Sequence, residues 1–343
     1  MNITICGGGN LGHVCAGFLA SQEDNSVSLL TTKPELWSKR IDVIDCKGKV
    51  YHGKLKCISR NPVDVIPDAE IVLICLPGFA IGKELEAVAP YLSPDCWVGT
   101  VVSSTGFFFE AFKHLSSKQP LFGFQRVPFI SRILRYGHEA ELKGYKDSLS
   151  VAVEQTSDRE MVRNKLENLF QVPVKLLSSH YEVSLSNSNP LLHTSRLYTL
   201  WHDWEPGVCY DRNPGFYSEW TLETSRLYIA MDEEFQNLLT KLGVKEGSIP
   251  TVLKYYDSWD AESLTNKISS IPAFQGIPSP MMLNKYGKYE PDFKSRYFTE
   301  DFPYGLRFIV ETAKKHQIQL PVIDLVYQWG IDSIATKINN EKI

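Results

Sequence analysis

The glycine-rich segment near the start of the chain constrains the fold more than any other feature. Residues 2–6, NITIC, have the pattern of a short buried strand, and the residues that follow GGGNLG, HVCAGFLASQ, have the pattern of a helix. A G-x-G-x-x-G spacing between a strand and a helix is typical of a dinucleotide-binding fold. Gly7 allows the tight turn, Gly9 lets a pyrophosphate approach the backbone, and Gly12 lets the helix pack closely.

This segment therefore predicts a bound dinucleotide with its phosphates at the start of the first helix. Free N–H groups and the positive end of the helix dipole favour an anion there. The alternative is a glycine-rich turn without a ligand. The predicted contacts are Gly7, Gly9, Asn10, Leu11 and Gly12.

The end of the second predicted strand, residues 26–31, bears on which dinucleotide binds. An acidic side chain at this position would bind a free ribose 2′-hydroxyl, but the chain has Thr31, Thr32 and Lys33 here and no acid until Glu35. Two hydroxyls and a cation suit a 2′-phosphate, so we expect NADP rather than NAD. The alternative makes Lys33 a solvated surface charge.

Further strands alternate with helical segments up to about residue 180, which predicts an α/β fold with a parallel sheet. A Gly/Lys-rich stretch at 47–56 indicates a small hairpin. The remaining strands are predicted at 68–77, 97–102, 148–153 and 172–177. Because ligands bind at the carboxyl ends of parallel strands, we expect Leu76, Pro77 and Thr105 to contact the cofactor.

The second half of the chain changes to helical patterning, with long 3.6-residue periods at 219–242 and 304–318. The prediction is a Rossmann-type doubly wound parallel sheet in residues 1–180, which binds NAD(P). A mostly α-helical substrate and catalytic domain follows in residues 181–343.

One stretch of this second half, SNPLLHTSR at 188–196, has an unusual combination of side chains. On a helix, Asn189, His193 and Arg196 share one face. Asn189 before Pro190 is a good helix start, which accounts for those two residues without any functional role. A lone helical histidine such as His193 is more often a packed or surface residue than a catalytic one. For Arg196 a structural salt bridge is favoured over a substrate role.

Several motifs occur in order along the chain. They are Asn-Pro-x-x-His at 189–193, Phe-Gln-x-x-Pro at 124–128, Phe216-Tyr217 with Glu219, Met231-Asp232-Glu233-Glu234, Leu242-Gly243-Val244, and R-x-x-x-E-D-x-P-x-G-L at 296–306. Together with the N-terminal glycine loop, they resemble the octopine/nopaline (opine) dehydrogenase family over nearly the whole chain.

That resemblance implies a reductive condensation, in which an amino acid and a 2-oxo acid form an imine that NAD(P)H reduces. It implies that His193 is the acid/base, paired with Asp301, and that Arg296 binds substrate. It also implies substrate contacts for Asn189 and Gln125. The chemistry itself asks for such groups, since histidine exchanges protons near neutral pH and guanidinium binds carboxylates at two points. The alternative for Asp301 is an acid favoured by a helix start.

Two other functions remain open at this stage. A ketopantoate-type 2-oxo acid reductase would share the two-domain plan and reduce a carbonyl directly. A non-catalytic NAD(P)-sensing protein would bind the cofactor and turn over nothing.

Charge and composition narrow the partners to small molecules. A net charge of −4 and a pI of about 6.1 argue against nucleic acid. The chain has no long apolar run for a membrane span and no signal-peptide pattern at its start. Seven scattered cysteines without C-x-x-C indicate free thiols in a reducing cytoplasm, and no metal site is expected. Homo-oligomerisation is left open.

Overall fold

A computed structural model provides the structure of the chain and describes residues 1–340, with side chains to residue 335. Backbone contacts divide it into two compact units, Met1–Ser186 and Asn187 onward. The boundary predicted from sequence, at 180, falls at the first residue of a short helix that belongs to the first unit.

The N-terminal unit contains eleven strands and five α-helices. The strands are β1 Asn2–Cys6, β2 Ser26–Leu30, β3 Arg40–Asp45, β4 Val50–Ser59, β5 Ile71–Ile74, β6 Trp97–Thr100, β7 Leu121–Phe124, β8 Phe129–Arg135, β9 Glu139–Tyr145, β10 Leu149–Glu154 and β11 Val174–Leu176. The helices are α1 Asn10–Ala20, α2 Gly78–Val88, α3 Phe107–His114, α4 Arg159–Phe170 and α5 His180–Ser184.

All eleven strands join one sheet in the order β11-β10-β7-β6-β5-β1-β2-β4-β3-β9-β8. Strands β2 and β5 flank β1 and run parallel to it, as the sequence predicts. These central strands are nearly continuous apolar runs because both of their faces are buried. Ile3 and Ile5 belong to one hydrophobic core, and Cys6 and Val72 belong to the core on the other side.

The sheet is mixed, because antiparallel pairs extend the parallel centre that the sequence predicts. β10 runs antiparallel to β7, and the pairs β3–β4 and β8–β9 are antiparallel hairpins. The predicted hairpin at 47–56 covers only the turn and the second strand of β3–β4. β8 and β9 were not predicted, because β8 is an edge strand whose exposed positions include Arg132 and Arg135.

The C-terminal unit is mostly helical, with one small antiparallel pair of strands. Its helices are α6 Asn189–Trp201, α7 Leu222–Lys241, α8 Val252–Tyr255, α9 Ala261–Ser270, α10 Arg296–Thr299, α11 Arg307–Lys315 and α12 Pro321–Asn340, and its strands are β12 Met281–Leu283 and β13 Tyr289–Pro291. Over the part of the chain that the structure describes, every helix is too short or too polar to cross a membrane.

The helix predicted at 304–318 departs from expectation at its start. Residues Phe302–Leu306 form a π-helical turn, closed by a hydrogen bond of 2.7 Å from the Leu306 N–H to the Asp301 carbonyl oxygen. The regular helix α11 follows from Arg307. Short π-helical insertions of this kind frequently occur at functional sites.

Candidate active site

The glycine loop between β1 and α1 has the geometry that its sequence predicts. Gly7 has a φ of +118°, and a Cβ there would lie 2.7 Å from the Cys75 carbonyl oxygen. A Cβ on Gly12 would lie 2.0 Å from the Gly7 carbonyl oxygen. Both positions therefore require glycine, one for its backbone conformation and both for the close approach of neighbouring backbone.

Gly9 differs from these two, because its glycine is not required by the protein itself. It is exposed, and a Cβ there would meet no atom within 4 Å. Gly9 precedes the first turn of α1, which contains no acidic residue to compete for the free N–H groups of Asn10, Leu11 and Gly12. An open backbone beside an uncapped helix start fits the pyrophosphate of a dinucleotide.

A cavity of about 340 Å³ lies beside this loop. It brings together five of the predicted cofactor residues, Gly7, Thr31, Thr32, Lys33 and Leu76. The threonines and lysine follow β2 and Leu76 follows β5, so the carboxyl ends of parallel strands gather them at one edge of the sheet.

Sequence reasoning missed other side chains that line the same cavity. Arg60 follows β4, which runs parallel to β2, so the strand-end rule that identified Lys33 applies to it as well. Its guanidinium makes an exposed ion pair with Glu35, at 2.8 Å between Nη2 and Oε2. Glu84 of α2 also lines the cavity. Burial raises the pKa of its carboxyl, which favours the neutral form and so reduces its electrostatic repulsion of an anionic ligand.

The other predicted cofactor residues, Gly9, Asn10, Leu11, Gly12, Pro77 and Thr105, do not line this cavity, nor does the predicted substrate residue Gln125. Pro77 caps the start of α2, and Thr105 follows β6, where its hydroxyl donates a hydrogen bond to the Val102 carbonyl oxygen at 3.1 Å. Gln125 follows β7, and its side-chain amide donates to the Glu182 carbonyl oxygen at 3.1 Å.

The hairpin β8–β9 is attached to the glycine loop by two side chains of α1. The Asn10 side-chain oxygen accepts a hydrogen bond from the Ile133 N–H at 2.8 Å. His13 is buried, and its Nε2 accepts from the Gly137 N–H at 2.8 Å while its Nδ1 lies 2.9 Å from the Gly9 carbonyl oxygen. Burial lowers the pKa of His13, consistent with a neutral ring.

The C-terminal unit brings together the two residues that the resemblance pairs. His193 Nδ1 lies 2.7 Å from Asp301 Oδ2, and His193 is only 9% exposed. Asp301 precedes the π-helical turn, but its side chain makes no capping bond there. Its carboxylate is therefore directed at the histidine and not at the helix start.

Close packing between α6 and the π-helical turn sets this contact. A Cβ on Gly305 would lie 2.5 Å from Pro190 Cγ, so only glycine lets the turn approach the first residues of α6. The Thr194 hydroxyl donates to the Pro190 carbonyl oxygen at 2.5 Å on the same helix. Asp301 and His193 come from segments more than 100 residues apart, and this approach is what joins them.

Sequence reasoning also missed Tyr217, whose hydroxyl lies 2.7 Å from His193 Nε2. The sequence motif Phe216-Tyr217 by itself assigns this phenol no role. The ring of Tyr297 lies beside the same histidine, with 4.8 Å between the ring centroids. Both ring nitrogens of His193 are thus engaged, one by a carboxylate and the other by a phenol.

Arg196 has a structural role, although not as the salt bridge expected from sequence. It is buried, and its guanidinium donates to the carbonyl oxygens of Phe216 and Glu219 at 3.0 and 2.7 Å. Burial lowers its pKa to about 10. Because Arg196 lies one turn after His193 on α6, these two bonds hold the segment that carries Tyr217 against the histidine.

The last two predicted substrate residues lie at the surface of this unit. Asn189 is exposed at the first residue of α6, and the residue before it, Ser188, occupies the N-cap position. The Arg296 side chain is 85% exposed and binds Glu300 through two hydrogen bonds of 2.8 Å. Among the described residues, no cluster of three or more His, Cys, Asp or Glu side chains could hold a metal.

Comparison with known proteins agrees with this geometry. Residues 176–333 match the family model described as the alpha-helical domain of NAD/NADP octopine/nopaline dehydrogenase. The chain is 26% identical to opine dehydrogenase of Haliotis discus hannai, over 96% of this chain and 89% of that protein. It is 29% identical to tauropine dehydrogenase of Arabella iricolor, over 96% and 90%.

The fold is shared with an octopine dehydrogenase solved with NADH and L-arginine, at a TM-score of 0.83 and 24% identity over 97% of this chain and 89% of that one. That fold is an N-terminal Rossmann-like unit followed by a helical one, as the sequence predicts. Residues 176–333 therefore match the helical domain of the octopine/nopaline dehydrogenase family, and the chain resembles opine dehydrogenases over nearly its whole length, which makes it an NAD(P)-dependent oxidoreductase of the type that acts on CH–NH donors.

Proposed function

We propose that this protein joins an amino acid to a 2-oxo acid by reductive condensation, and catalyses the reverse reaction, with His193 as acid/base and Asp301 as its orienting partner. The observation that carries the proposal is the contact of 2.7 Å between His193 Nδ1 and Asp301 Oδ2 inside the helical domain that defines the family. We further propose that the N-terminal unit holds the nucleotide and the C-terminal unit supplies the acid/base.

The chemistry requires a group that exchanges protons near neutral pH. The amine attacks the carbonyl carbon to give a carbinolamine, which loses water to give an imine. The reduced nicotinamide supplies the hydride that reduces the imine carbon. An Asp301 carboxylate that accepts from Nδ1 directs Nε2 of His193 toward the reaction and stabilises the imidazolium. His193 then donates the proton that departs with the water.

The substrate classes are proposed from related proteins and from the charges of the site. The related octopine dehydrogenase was solved with L-arginine and with pyruvate, an amino acid and a 2-oxo acid. Both classes of substrate carry a carboxylate, which a guanidinium binds at two points. We propose that Arg296 gives up Glu300 for the substrate carboxylate, and that Asn189 and Gln125 contribute amide hydrogen bonds to substrate.

The assay that tests this function follows absorbance of NADPH and NADH with the purified protein. Pyruvate would be supplied with and without a pool of amino acids that includes L-arginine. Oxidation that requires both substrates is the expected result. Oxidation with the oxo acid alone would identify a ketopantoate-type reductase, and cofactor binding without turnover in any mixture would identify a sensor.

Lys33→Glu is expected to weaken NADPH binding more than NADH binding. We propose NADP as the preferred cofactor because Lys33 and Arg60 line the same cavity as Thr31 and Thr32. Two cations suit a 2′-phosphate, and a glutamate would repel it while leaving a free ribose hydroxyl bound. Dissociation constants from nucleotide fluorescence would measure the difference.

The control for this variant is Lys56→Glu, which makes the same charge change at an exposed lysine that does not line the cavity. Equal losses of affinity for NADPH and NADH in Lys33→Glu would show that Lys33 does not bind a 2′-phosphate.

Arg296→Lys is expected to raise the Michaelis constant for a carboxylate substrate by about tenfold. A lysine is a point charge and cannot replace two parallel hydrogen bonds to a carboxylate, each of which contributes on the order of 1 kcal/mol or more. Initial rates with varied oxo acid would measure it, and Arg163→Lys on α4 is the control. An unchanged Michaelis constant would remove Arg296 from the substrate site.

A further inference from the structure

The Tyr217 hydroxyl lies at the ring nitrogen through which His193 would exchange a proton with substrate. Asp301 Oδ2 lies 2.7 Å from Nδ1, and the Tyr217 hydroxyl lies 2.7 Å from Nε2. Since an ionised carboxylate only accepts, Nδ1 carries a proton and Nε2 is the nitrogen that exchanges one. Any proton that moves between His193 and substrate through Nε2 therefore meets the Tyr217 oxygen first.

Tyr217 is held in this position by aromatic packing. Its ring stacks on Phe274 at 4.2 Å between centroids and 19° between planes, and it meets Phe216 edge-on at 4.8 Å. The residue is only 5% exposed. Arg196 fixes the main chain on both sides of it through the carbonyl oxygens of Phe216 and Glu219. A ring clamped by these contacts does not swing aside without breaking them.

A second phenol lies beside this pair. Tyr297 is half-buried, and its ring meets the ring of His193 at 4.8 Å between centroids. Asp301, His193 and Tyr217 thus form a continuous chain of hydrogen-bonding groups, with Tyr297 beside it.

We propose that Tyr217 is a further catalytic residue, whose hydroxyl relays the proton between His193 Nε2 and the reacting oxygen of the substrate. This inference rests on the proposed function and adds a group to its acid/base machinery. Nothing in the sequence motif assigns a role to this phenol, and the hydrogen bond to Nε2 is what singles it out.

The relay balances in protons and electrons. The imidazolium of His193 transfers its Nε2 proton to the Tyr217 oxygen, while the Tyr217 hydroxyl proton moves to the hydroxyl oxygen of the carbinolamine. The C–O bond then breaks with its electron pair, water leaves, and the nitrogen lone pair forms the C=N bond. Tyr217 is a neutral phenol before and after the step, and His193 ends as neutral imidazole.

The environment of Tyr217 favours transfer of both protons together. Burial, reinforced by the neighbouring Tyr297, raises the pKa of Tyr217 far above that of an ordinary phenol. A separate tyrosinate is therefore unfavourable at neutral pH, and the hydroxyl gains one proton as it loses the other.

The test compares Tyr217→Phe with a matched loss of a buried phenol hydroxyl. Tyr228 is fully buried, and its hydroxyl has no hydrogen-bond partner in the described part of the chain, so Tyr228→Phe is the control. With pyruvate, the amino-acid pool and NADPH or NADH, Tyr217→Phe is expected to lower kcat by about 10²-fold. Cofactor dissociation constants should stay within about twofold of wild type. Tyr228→Phe should retain wild-type kcat.

Two further readouts separate a relay from a merely structural hydroxyl. The dependence of rate on the deuterium content of the solvent should be curved for wild type, because two protons move together, and linear for Tyr217→Phe. Trifluorotyrosine at position 217 keeps the ring and hydroxyl but lowers the phenol pKa. It should shift the pH profile of kcat if the hydroxyl transfers a proton.

The outcomes of these experiments distinguish failure of the Tyr217 relay from failure of the proposed condensation reaction. A wild-type protein that turns over no pair of substrates would overturn both. An active wild type with Tyr217→Phe within about threefold of it, and with the same solvent isotope dependence, would overturn the relay and leave the condensation reaction in place.

Discussion

Replacing His193 with alanine is expected to lower turnover by at least about 10²-fold, the usual scale for loss of an acid/base group. The ring is buried between Asp301 and Tyr217, with a hydrogen-bonding distance of 2.7 Å on each side, so its removal breaks the proton path between these two groups. Steady-state oxidation of NADPH or NADH with both substrates measures the loss. Cofactor affinity should be unchanged, because the glycine loop belongs to the other unit of the chain.

His202→Ala is the matched control for this variant. His202 follows the last residue of the same helix, is exposed, and donates a hydrogen bond from Nδ1 to the Tyr198 carbonyl oxygen at 3.0 Å. It should keep normal turnover. Near-normal turnover of His193→Ala itself would show that His193 is not the acid/base, with any pair of substrates.

Gly9→Ala is expected to weaken cofactor binding by about tenfold or more while leaving the protein folded. A methyl group on Gly9 meets no protein atom within 4 Å, so the fold tolerates it. It would instead occupy the space above the loop where the pyrophosphate approaches the backbone, and each tenfold loss corresponds to about 1.4 kcal/mol of binding free energy. Fluorescence titration with NADPH and NADH measures the affinity, and thermal unfolding without nucleotide measures the stability.

Two other glycines provide contrasts for this experiment. A Cβ on Gly12 would lie 2.0 Å from the Gly7 carbonyl oxygen, so Gly12→Ala should lower the unfolding temperature as well as the affinity. A Cβ on Gly144 makes only an ordinary contact of 3.7 Å, so Gly144→Ala should change neither. Normal nucleotide affinity in folded Gly9→Ala would show that the pyrophosphate does not lie over this glycine.

Much of the N-terminal unit could be predicted from sequence because the residues that define its elements are neighbours along the chain. A strand, a glycine loop and a helix stand next to each other in sequence, and the apolar runs of the central strands follow directly from burial on both faces. The same logic would have found Arg60, since it follows a strand parallel to β2. It did not find the hairpin β8–β9, whose exposed edge carries charged residues and little apolar patterning.

The sequence predicted the helices and motifs of the C-terminal unit, but it did not predict which side chains contact one another. Arg196 illustrates the limit, because a buried arginine bound to main-chain carbonyls looks the same in sequence as one in a salt bridge. Asp301 illustrates it again, since an acid before a helix serves equally well as a cap, and only the direction of its side chain excludes that role.

The sequence by itself determined the two-part fold and the conformation of the glycine loop, because backbone conformation and periodic burial depend on neighbouring residues. Only the tertiary structure decided what surrounds His193. Its partners Asp301 and Tyr217 come from distant segments, and they meet it because Gly305 lets the π-helical turn approach Pro190 and Arg196 holds the Tyr217 segment. Such contacts depend on close packing between elements, which no local pattern encodes.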